Sequence, residues 1–364
     1  MVNRFFYPFL GGVEFHVQNL GIELARLGCR VTVAHGRERG QGTGETWGPP
    51  PGLELRPLGT PAALGAVVRE GFDVVHAHMP RNAWTLAGLF FARRAGVPAV
   101  LTPHCFYPSK DLLWRGLKAA YDATLLRYTF RLAHRVISLT ESDRADALAR
   151  GLEPEKSRVI PTSVRTAQLA GVPPVDFREK YRLPWEFLLF VGRFDPVKDV
   201  DFLVRAQRRF DSLGLVLIGS DAGALPGVRR LVSRLGLGDR VRIVERAPLG
   251  DLCGAYRQAG ALVLASRAEG LGTVILEALY FGCPVVASRV GGIPYVVREP
   301  APGRTFAPGV EDDYVAAVRE MLARGRDGAG VGRRLVEREY AWEVNARRVL
   351  DVYRELQAAR RAAA

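Results

Sequence analysis

Short apolar runs alternate with helix-patterned segments along most of this sequence, and residues 261–288 show the pattern most clearly. An apolar run at 261–265 precedes a loop that contains Gly270 and Gly272. Helical apolar spacing follows over 273–281, and a second apolar run occupies 284–288. Runs this short, joined by a helix, are typical of parallel strands that are buried on both faces. Because the alternation recurs in both halves of the chain, it predicts an α/β protein with two doubly wound parallel sheets.

The length of 364 residues allows two domains, each with its own core. We predict a first domain at 1–165, a second at 166–341, and a separate C-terminal helix at 342–364. Predicted strands of the first domain lie at 29–34, 53–58, 73–77, 97–102, 133–139 and 157–161. Those of the second lie at 187–192, 215–219, 240–244, 261–265 and 284–288. The proline-bearing segment 167–185 is predicted to be an irregular linker.

The start of the chain is unusual, because only Met1 and Val2 precede the polar Asn3 where a first buried strand is expected. Buried strands usually run for five or six residues. Either this strand is unusually short or the natural chain begins upstream of Met1.

Composition excludes some classes of protein. No run of about 18 apolar residues is present, so no membrane span is expected, and no cleavable leader is visible. The four scattered cysteines, none paired at metal-ligand spacing, are predicted to be reduced thiols of a cytoplasmic protein. The formal net charge of +13 suits anionic membranes or phosphate-bearing substrates. No nucleic-acid motif accompanies that charge, so we predict no nucleic-acid partner.

Two carboxylates flank the loop of the 261–288 unit. Glu269 lies in the loop after the strand, where open α/β sheets bind ligands, and Glu277 lies eight residues later on the helix. Eight residues make a little over two helical turns, so both carboxylates can face one crevice. Carboxylates accept hydrogen bonds from hydroxyl groups, and amides at a helix start donate to oxygens or phosphates. The alternative is a pair of solvated glutamates, but a glutamate on so apolar a helix usually has a partner.

Two cations follow the first predicted strand of the second domain. Gly192 ends that strand, and Arg193 and Lys198 follow in the turn. Arginine offers a planar fork of donors and lysine a point charge, so together they can neutralise a diphosphate. The pattern R-x4-K is common by itself and is informative here because a buried strand precedes it.

The first domain carries candidate residues at three places. Gly11 and Gly12 open a predicted helix, and His104 follows the strand 97–102. His76, in the strand 73–77, and His78, just after it, point to the same side. Two such histidines could bind a metal or flank a cleft, but a third ligand is not apparent, so a structural role is favoured.

The motif E-x7-E at 269–277 and the motif G-R-x4-K at 192–198 resemble those of the retaining glycosyltransferases of family 4, and the resemblance extends over essentially the whole chain. It implies the GT-B fold, with two Rossmann-like domains facing a central cleft and a C-terminal helix that crosses back to the first domain. The nucleotide of a sugar donor would lie on the second domain, and the acceptor side would be the first.

The resemblance implies a role for each candidate residue. Glu269 would hold sugar hydroxyls, Glu277 would accept from the ribose, and Arg193 and Lys198 would stabilise the leaving diphosphate. His104 would lie near the donor sugar. The catalytic residues implied are Glu269, His104, Arg193 and Lys198. The donor-binding residues implied are Gly11, Gly12, Gly192, Arg193, Lys198, Glu269, Gly270, Leu271, Gly272, Thr273 and Glu277.

The predicted activity is therefore transfer of a sugar from a UDP-, GDP- or ADP-linked donor to a glycan, lipid or small-molecule acceptor. This would be a step of polysaccharide or glycolipid biosynthesis. No cofactor and no metal are expected. Two alternatives stay open: a GT-B-fold sugar-nucleotide epimerase, and a non-catalytic GT-B partner subunit.

A basic amphipathic helix is predicted at 111–131, where leucine, tryptophan and tyrosine residues are interleaved with Arg115, Lys118, Arg127 and Arg131. Such a helix suits a peripheral contact with the inner face of a membrane. It also suits a surface helix with one core face and one solvated basic face, and this second interpretation is slightly favoured.

Four places depart from the family pattern, and the first is Thr162-Ser163, which replaces the usual Asn-Gly of the inter-domain turn. Asp199 stands where the family often has glycine, and we interpret it as the cap of a helix at 200–210. Tyr295 stands where the family usually has glutamate. The proline-rich segment 300–309 replaces a glycine-containing loop.

Overall fold

Two parallel β-sheets, each with helices between its strands, organise the chain. The structure is a computed structural model that describes residues 1–6, 11–37, 48–104, 112–298 and 302–362. One unit comprises Met1–Ser163 and Trp342–Ala364, and the other comprises Val164–Ala341. The division falls two residues before the boundary predicted at 165, and the C-terminal helix begins at Trp342.

The described part of the first unit contains a seven-stranded sheet in the order β3-β2-β1-β4-β5-β6-β7. Its strands are β1 Val2–Asn3, β2 Val31–Gly36, β3 Leu53–Leu58, β4 Val75–His78, β5 Ala99–Thr102, β6 Arg135–Ser138 and β7 Ser157–Val159. All pairings are parallel, and Val2 lies opposite both Ala34 and Ala77. The strand order reverses between β1 and β4, which is the place where open α/β sheets bind ligands.

Both faces of this sheet are covered, as its strand pattern predicts. Ala99 and Leu101 belong to one buried cluster, whereas Val100 between them belongs to another. Val136 and Ile137 divide in the same way. Because successive side chains of a strand point to opposite faces, the two clusters lie on the two sides of the sheet.

The helices of the first unit flank this sheet. They are α1 Gly12–Arg26, α2 Leu64–Val68, α3 Ala83–Arg94, α4 Leu112–Tyr121, α5 Arg127–Leu132, α6 Glu141–Ala149 and the C-terminal helix Trp342–Ala362. A π-helical turn at Asp122–Leu126 joins α4 to α5. The C-terminal helix buries Trp342 and Val349 in the same cluster as Val17 and Leu20 of α1, which fixes it to this unit.

The described part of the second unit contains a six-stranded parallel sheet in the order β10-β9-β8-β11-β12-β13. Its strands are β8 Glu186–Val191, β9 Leu213–Ile218, β10 Val241–Val244, β11 Ala261–Leu264, β12 Val285–Ser288 and β13 Gly303–Phe306. Its helices are α7 Thr166–Ala170, α8 Phe177–Lys180, α9 Val200–Ala206, α10 Leu225–Arg234, α11 Leu249–Gln258, α12 Thr273–Tyr280, α13 Ile293–Val296, α14 Glu311–Arg324 and α15 Ala329–Glu339. The strand order reverses between β8 and β11.

Two predictions about irregular segments were wrong. The segment 167–185 contains most of α7 and all of α8, because Phe177 is fully buried and the Asp176 side chain accepts from the Glu179 amide. The segment 300–309 contains β13, which pairs with β12. These elements have four or five residues each, too few to show a period in the sequence.

Several predicted features involve residues outside the described ranges. They are the predicted thiol of Cys105, the first residue of the helix 111–131, and the first two residues of the loop 300–309. The other three cysteines are free thiols. No helix within the described ranges combines the length and the apolar character that a membrane span requires.

Candidate active site

The two motif loops of the second unit leave neighbouring strands at the point where the strand order reverses. The loop 192–198 follows β8, the loop 266–272 follows β11, and Leu188 of β8 lies opposite Ala261 of β11. Because all strands are parallel, both loops leave the same edge of the sheet. Each motif lies in a loop between a strand and a helix, so both motifs lie where the strand order reverses.

Three contacts tie these two loops together. Lys198 forms an ion pair with Glu269, and both side chains are largely buried. The backbone amide of Arg267 donates to the carbonyl of Val197 at 2.8 Å, and the Arg267 guanidinium donates to Asp199 at 2.8 Å. The structure thus brings Lys198 and Glu269 together, although 71 residues separate them.

Arg193 instead presents its charge to solvent. Its side chain is 66% exposed, and its guanidinium lies 3.9 Å from the Asp195 carboxylate. The next residue, Phe194, is fully buried and its amide donates to the carbonyl of Ser220 at 2.8 Å. The buried ring therefore anchors the loop while the adjacent guanidinium remains available to a phosphate.

Glycines let this loop pass close to its neighbour. A Cβ atom added to Gly219, at the end of β9, would lie 1.8 Å from the carbonyl oxygen of Gly192. No larger residue fits at Gly219 without moving the loop that begins at Gly192.

The interpretation of Asp199 as the cap of α9 is confirmed for its position and wrong for its side chain. Asp199 occupies the residue before α9, but its side chain makes no capping hydrogen bond and pairs with Arg267 instead. Its φ of 47° and ψ of 45° lie in the left-handed region. This conformation favours glycine and, among other residues, asparagine and aspartate, which gives a physical reason for aspartate at this position.

Glu277 has a partner, as its apolar helix predicts. On α12, Glu277 accepts a hydrogen bond of 2.8 Å from the hydroxyl of Tyr256 on α11. Burial raises the pKa of the Glu277 carboxyl to about 7, and the hydrogen bond from Tyr256 acts in the opposite direction. The Glu277 carboxyl therefore takes up a proton much closer to neutral pH than an ordinary glutamate does.

The loop before α12 is held by its backbone. Gly272 precedes the helix with a φ of 78°, a left-handed conformation that suits glycine, and Leu271 is buried. The Gly292 amide donates to the carbonyl of Gly270 at 2.6 Å. A Cβ atom on Gly291 would lie 1.8 Å from the carbonyl oxygen of Glu269, so the turn 290–295 packs directly on this loop. Thr273 is exposed as the first residue of the helix.

In the first unit, Gly11 and Gly12 begin α1. The Gly11 amide donates to the Glu14 carboxylate at 2.9 Å, which satisfies one donor near the helix start. A Cβ atom on Gly12 would meet no described atom within 4 Å, so this glycine borders open space.

His104 belongs to a cluster of four buried histidines. Its Nε2 lies 3.3 Å from Nδ1 of His78, and the His16 ring approaches it edge-on at 5.0 Å between centroids. The His76 ring stacks on His78 at 4.3 Å and is hydrogen-bonded to Thr102 at 2.8 Å. Burial holds the pKa of each of these four imidazoles well below its ordinary value, so all four are neutral at pH 7.

The backbone of His104 is left-handed, with a φ of 59°. Met79, which follows β4, has a φ of 62°. Both residues stand at the carboxyl end of a strand, and such conformations are more common at functional sites than elsewhere. Across the described ranges, no group of three or more His, Cys, Asp or Glu side chains could hold a metal ion.

Sequence reasoning missed three contacts of this region. The Tyr256 hydroxyl on Glu277, the Arg267–Asp199 pair and the close approach of Gly291 to Glu269 join residues that no spacing rule connects. The only indication in the sequence was that an apolar helix containing Glu277 requires a partner for it.

Comparison with known proteins agrees with this geometry. The family model for Glycosyltransferase Family 4 matches residues 10–168, and the model for Glycosyl transferases group 1 matches residues 176–339. A D-inositol 3-phosphate glycosyltransferase from Acidothermus cellulolyticus is 30% identical over 315 residues, covering 80% of this chain and 69% of the relative. The protein of the same name from Frankia alni is 31% identical over 309 residues, covering 78% of this chain and 74% of the relative.

Solved structures show the same fold. The sucrose-phosphate synthase of Thermosynechococcus elongatus superimposes with a TM-score of 0.80 at 23% identity and covers 98% of both chains. Anabaena HepE in complex with UDP has a TM-score of 0.79 at 16% identity, covering 97% of this chain and 98% of HepE. These likenesses establish the predicted GT-B fold. The chain belongs to glycosyltransferase family 4, the group 1 glycosyltransferases, and is an enzyme that transfers a sugar from a nucleotide sugar to an acceptor.

Proposed function

We propose that the donor's diphosphate binds at the switch point of the second unit, between the loops that follow β8 and β11. The observation that carries this proposal is the ion pair of Lys198 with Glu269, beside the exposed guanidinium of Arg193. An ammonium group has three donors, so Lys198 can keep Glu269 and also bind a phosphate oxygen. Arg193 supplies a second cation, and the pair would neutralise most of a diphosphate's charge.

The amides at the start of α12 would complete this phosphate site. Leu271, Gly272 and Thr273 lead into the helix, where unpaired amides and the helix dipole favour an anion. Gly192 and Gly270 would let the donor approach the backbone, since neither carries a side chain.

Glu269 and Glu277 would hold the hydroxyl groups of the donor. Glu269 is placed by Lys198 and would accept from sugar hydroxyls near the anomeric carbon. Glu277 would accept from the hydroxyls of the ribose. Both carboxylates would thereby position the donor, and neither would need to form a bond to it.

We propose that the transfer retains the configuration of the anomeric carbon. The bond from this carbon to the diphosphate oxygen would break, and the acceptor oxygen would bond to the same face. The proton of the acceptor hydroxyl would pass to the departing diphosphate. The binding of Glu269 to Lys198 supports this route, because an ion-paired carboxylate is a poor nucleophile. Arg193 and Lys198 would stabilise the charge that grows on the leaving group, which fixed cations do without reorganising.

The first unit would contribute Gly11, Gly12 and His104. The left-handed backbone of His104 and the open space beside Gly12 support roles in contacting donor or acceptor. His104 would act as a neutral imidazole that donates or accepts a hydrogen bond, since burial lowers its pKa well below 7. We propose no metal and no cofactor for the reaction.

The acceptor that we propose to test first is D-inositol 3-phosphate, the compound in the names of the relatives given above. A transfer assay with radiolabelled donor and this acceptor tests the proposal. Inositol without the phosphate is the control. No product with D-inositol 3-phosphate, while another acceptor is glycosylated, would contradict this choice.

We also propose a peripheral membrane contact through the region from α4 to α5. Leu125 and Tyr128 are 42% and 43% exposed, and the exposed Arg127 and Arg131 lie beside them. Apolar side chains flanked by arginines suit the interface of an anionic bilayer. Leu126 and Phe130 on the same segment are buried, so the helix keeps a separate face for the core.

Calorimetric titration tests the donor site. UDP, GDP and ADP would be titrated into the protein in buffer containing a chelator, and into Arg193→Ala. We expect one diphosphate to bind, and the variant to bind it roughly tenfold to a hundredfold more weakly, because a charge-assisted contact is lost. The corresponding nucleoside should bind both proteins alike.

Arg319→Ala is the matched control, because Arg319 is an exposed arginine on α14 of the same unit. Its affinity should equal that of the wild type. Equal weakening of the diphosphate and the nucleoside by Arg193→Ala would mean that Arg193 has only a structural role. Binding that appears only after metal is restored would contradict the proposal that no metal takes part.

A further inference from the structure

Tyr256 is buried against the predicted ribose-binding carboxylate. Its side chain lies on α11 and is 1% exposed, and its hydroxyl donates to Oε2 of Glu277 at 2.8 Å. The ring stacks on Phe281, just beyond α12, with planes 14° apart. One polar contact and one apolar contact therefore join Tyr256 to the α12 region.

Backbone contacts fix this arrangement further. The Arg326 guanidinium donates to the carbonyl of Tyr256 at 3.0 Å and to the carbonyl of Phe281 at 3.1 Å. One arginine thus bridges the two segments that carry the stacked rings. The Tyr256 hydroxyl has little freedom to leave Glu277, because both the ring and the backbone carbonyl of Tyr256 are held.

Only one oxygen of Glu277 is engaged by Tyr256. The glutamate side chain is half-buried, so part of it remains accessible. A carboxylate can accept several hydrogen bonds, and a single fixed donor leaves the other oxygen for a ligand. Burial raises the pKa of the Tyr256 phenol well above its ordinary value, so this hydroxyl always carries its proton and always donates.

We infer that Tyr256 is a positioning residue for the donor nucleotide. Its hydroxyl holds Glu277 in one orientation and keeps the second carboxylate oxygen directed to the ribose hydroxyls. This inference rests on the proposed function, because it assumes that Glu277 binds the ribose. No part of it requires that Tyr256 touch the donor.

The hydrogen bond also affects the ionisation of Glu277. Burial raises the pKa of Glu277 to about 7, and Tyr256 opposes that rise. Removing the hydroxyl should therefore raise this pKa further and leave the carboxyl protonated at neutral pH. A protonated carboxyl accepts fewer hydrogen bonds, so it should bind two ribose hydroxyls less well. Ligand affinity should rise with pH through the Glu277 pKa, at a higher pH in the variant than in the wild type.

The other titratable groups around Tyr256 and Glu277 do not titrate near pH 7, where Glu277 does. Burial raises the pKa of the Cys253 thiol to about 11 and that of the Cys283 thiol to about 12, so both stay neutral. The guanidinium groups of Arg257 and Arg326 also lie beside these residues. The segment Val164–Ala341 contains no histidine. The terminal phosphate of the diphosphate also titrates near this range, but it is the same in both titrations, so a difference in pH dependence between variant and wild type near pH 7 can be assigned to Glu277.

The test is Tyr256→Phe, which keeps the ring and removes only the hydroxyl. Titrations with whichever of UDP, GDP and ADP the wild type binds would be made between about pH 6 and pH 9. We expect binding about tenfold weaker at pH 7, as for one lost hydrogen bond to a charged group. The deficit should shrink at pH 9, where Glu277 is ionised in both proteins. Inorganic diphosphate should bind both proteins equally.

Tyr314→Phe is the matched control. Tyr314 is equally buried in the same unit, and its ring packs on Phe202 and Phe306. Its affinity and pH profile should match the wild type. Carbon-13 NMR of the Glu277 carboxyl gives a readout without any ligand and should show a higher pKa in Tyr256→Phe.

Several outcomes would overturn the inference. One is a Tyr256→Phe protein whose affinity and pH profile equal those of the wild type. Another is weakening that is uniform across pH with an unchanged Glu277 pKa, which would indicate a packing role only. If the wild type binds none of the three diphosphates, the proposed function itself fails. That result is distinct, because the NMR titration still reports on the hydrogen bond.

Discussion

Lys198 and Glu269 neutralise each other in the absence of a ligand. Each would otherwise place a largely buried charge at the edge of a sheet, which costs free energy unless the charge is paired. The pair orients both side chains before any donor arrives. A bound diphosphate would add a second anion around Lys198 without displacing the first.

Replacing Glu269 should lower the rate of sugar transfer without weakening the binding of the nucleoside diphosphate. Glu269→Gln keeps the shape of the side chain but removes the charge that faces Lys198. We expect turnover to fall by about 10² to 10³, the usual cost of losing one fixed electrostatic contact in a transition state. Affinity for the nucleoside diphosphate should change little, since Arg193 and Lys198 remain. Steady-state transfer rates and calorimetry measure the two quantities.

The matched control for this prediction is Glu311→Gln, since Glu311 pairs with Arg209 on the surface of the same unit. That variant should transfer sugar at the wild-type rate. Unchanged turnover in Glu269→Gln would remove Glu269 from the mechanism.

At the scale of the element, loops that look independent in the sequence are joined. The sequence alone predicted that Glu269 lies in a loop and Glu277 on the helix that follows, because both residues belong to one strand–loop–helix unit. The contact of Lys198 with Glu269 requires that β8 and β11 be neighbours, which is a property of the sheet order. Parallel neighbours need not be consecutive in the chain, so no local pattern contains this information.

Local periodicity predicted most helices and strands, and it failed for particular reasons. The strand β13 has four residues in a proline-rich stretch and, within the described residues, pairs with β12 alone. The helix α8 has four residues, held by the buried Phe177. Tyr256 was not predicted as a partner of Glu277, because the two residues are 21 positions apart and lie on different helices. Tertiary packing decides such contacts.

Vesicle flotation tests the proposed membrane contact of the α4–α5 region. We expect anionic vesicles to capture the protein at low salt and to release it at high salt, because exposed charges are screened. The double variant Leu125→Ser, Tyr128→Ser should lose capture, since it removes the exposed apolar groups. Val310→Ser is the control, because Val310 is 47% exposed in the second unit. Failure of the wild type to float at low salt would leave this region an ordinary surface helix.

At the scale of the whole molecule, histidine is confined to one unit. All six histidines lie within Met1–Ser163, and Val164–Ala341 has none. Burial is the largest cause that lowers the pKa of each of the six, and that of His16 falls to about 3. The unfolded chain therefore binds protons below about pH 6.5 that the folded first unit excludes.

The presence of buried histidines in the first unit and their absence from the second determine how each unit responds to acid. A histidine whose pKa is lowered by folding destabilises the folded state as pH falls below 6.5, by up to about 1.4 kcal/mol per pH unit for each group. Burial raises the pKa of Asp143 to about 6 and also that of Glu14, which offsets part of the loss in this unit. In the second unit, the raised pKa of Glu277 acts oppositely and adds stability as pH falls from about 7 toward 4.5.

Acid should therefore weaken the first unit before the second. Hydrogen exchange followed by mass spectrometry, corrected for the intrinsic effect of pH, would compare peptides from β4 and β5 with peptides from β8 and β9 in the intact chain. We expect protection in β4 and β5 to fall steeply between about pH 6.5 and pH 4.5, while β8 and β9 stay protected. The four clustered imidazoles should dominate this loss, because the fully buried rings of His76 and His78 cannot gain protons without opening the sheet around them. Parallel loss of protection in both units would show that histidine burial does not set the acid stability of this enzyme.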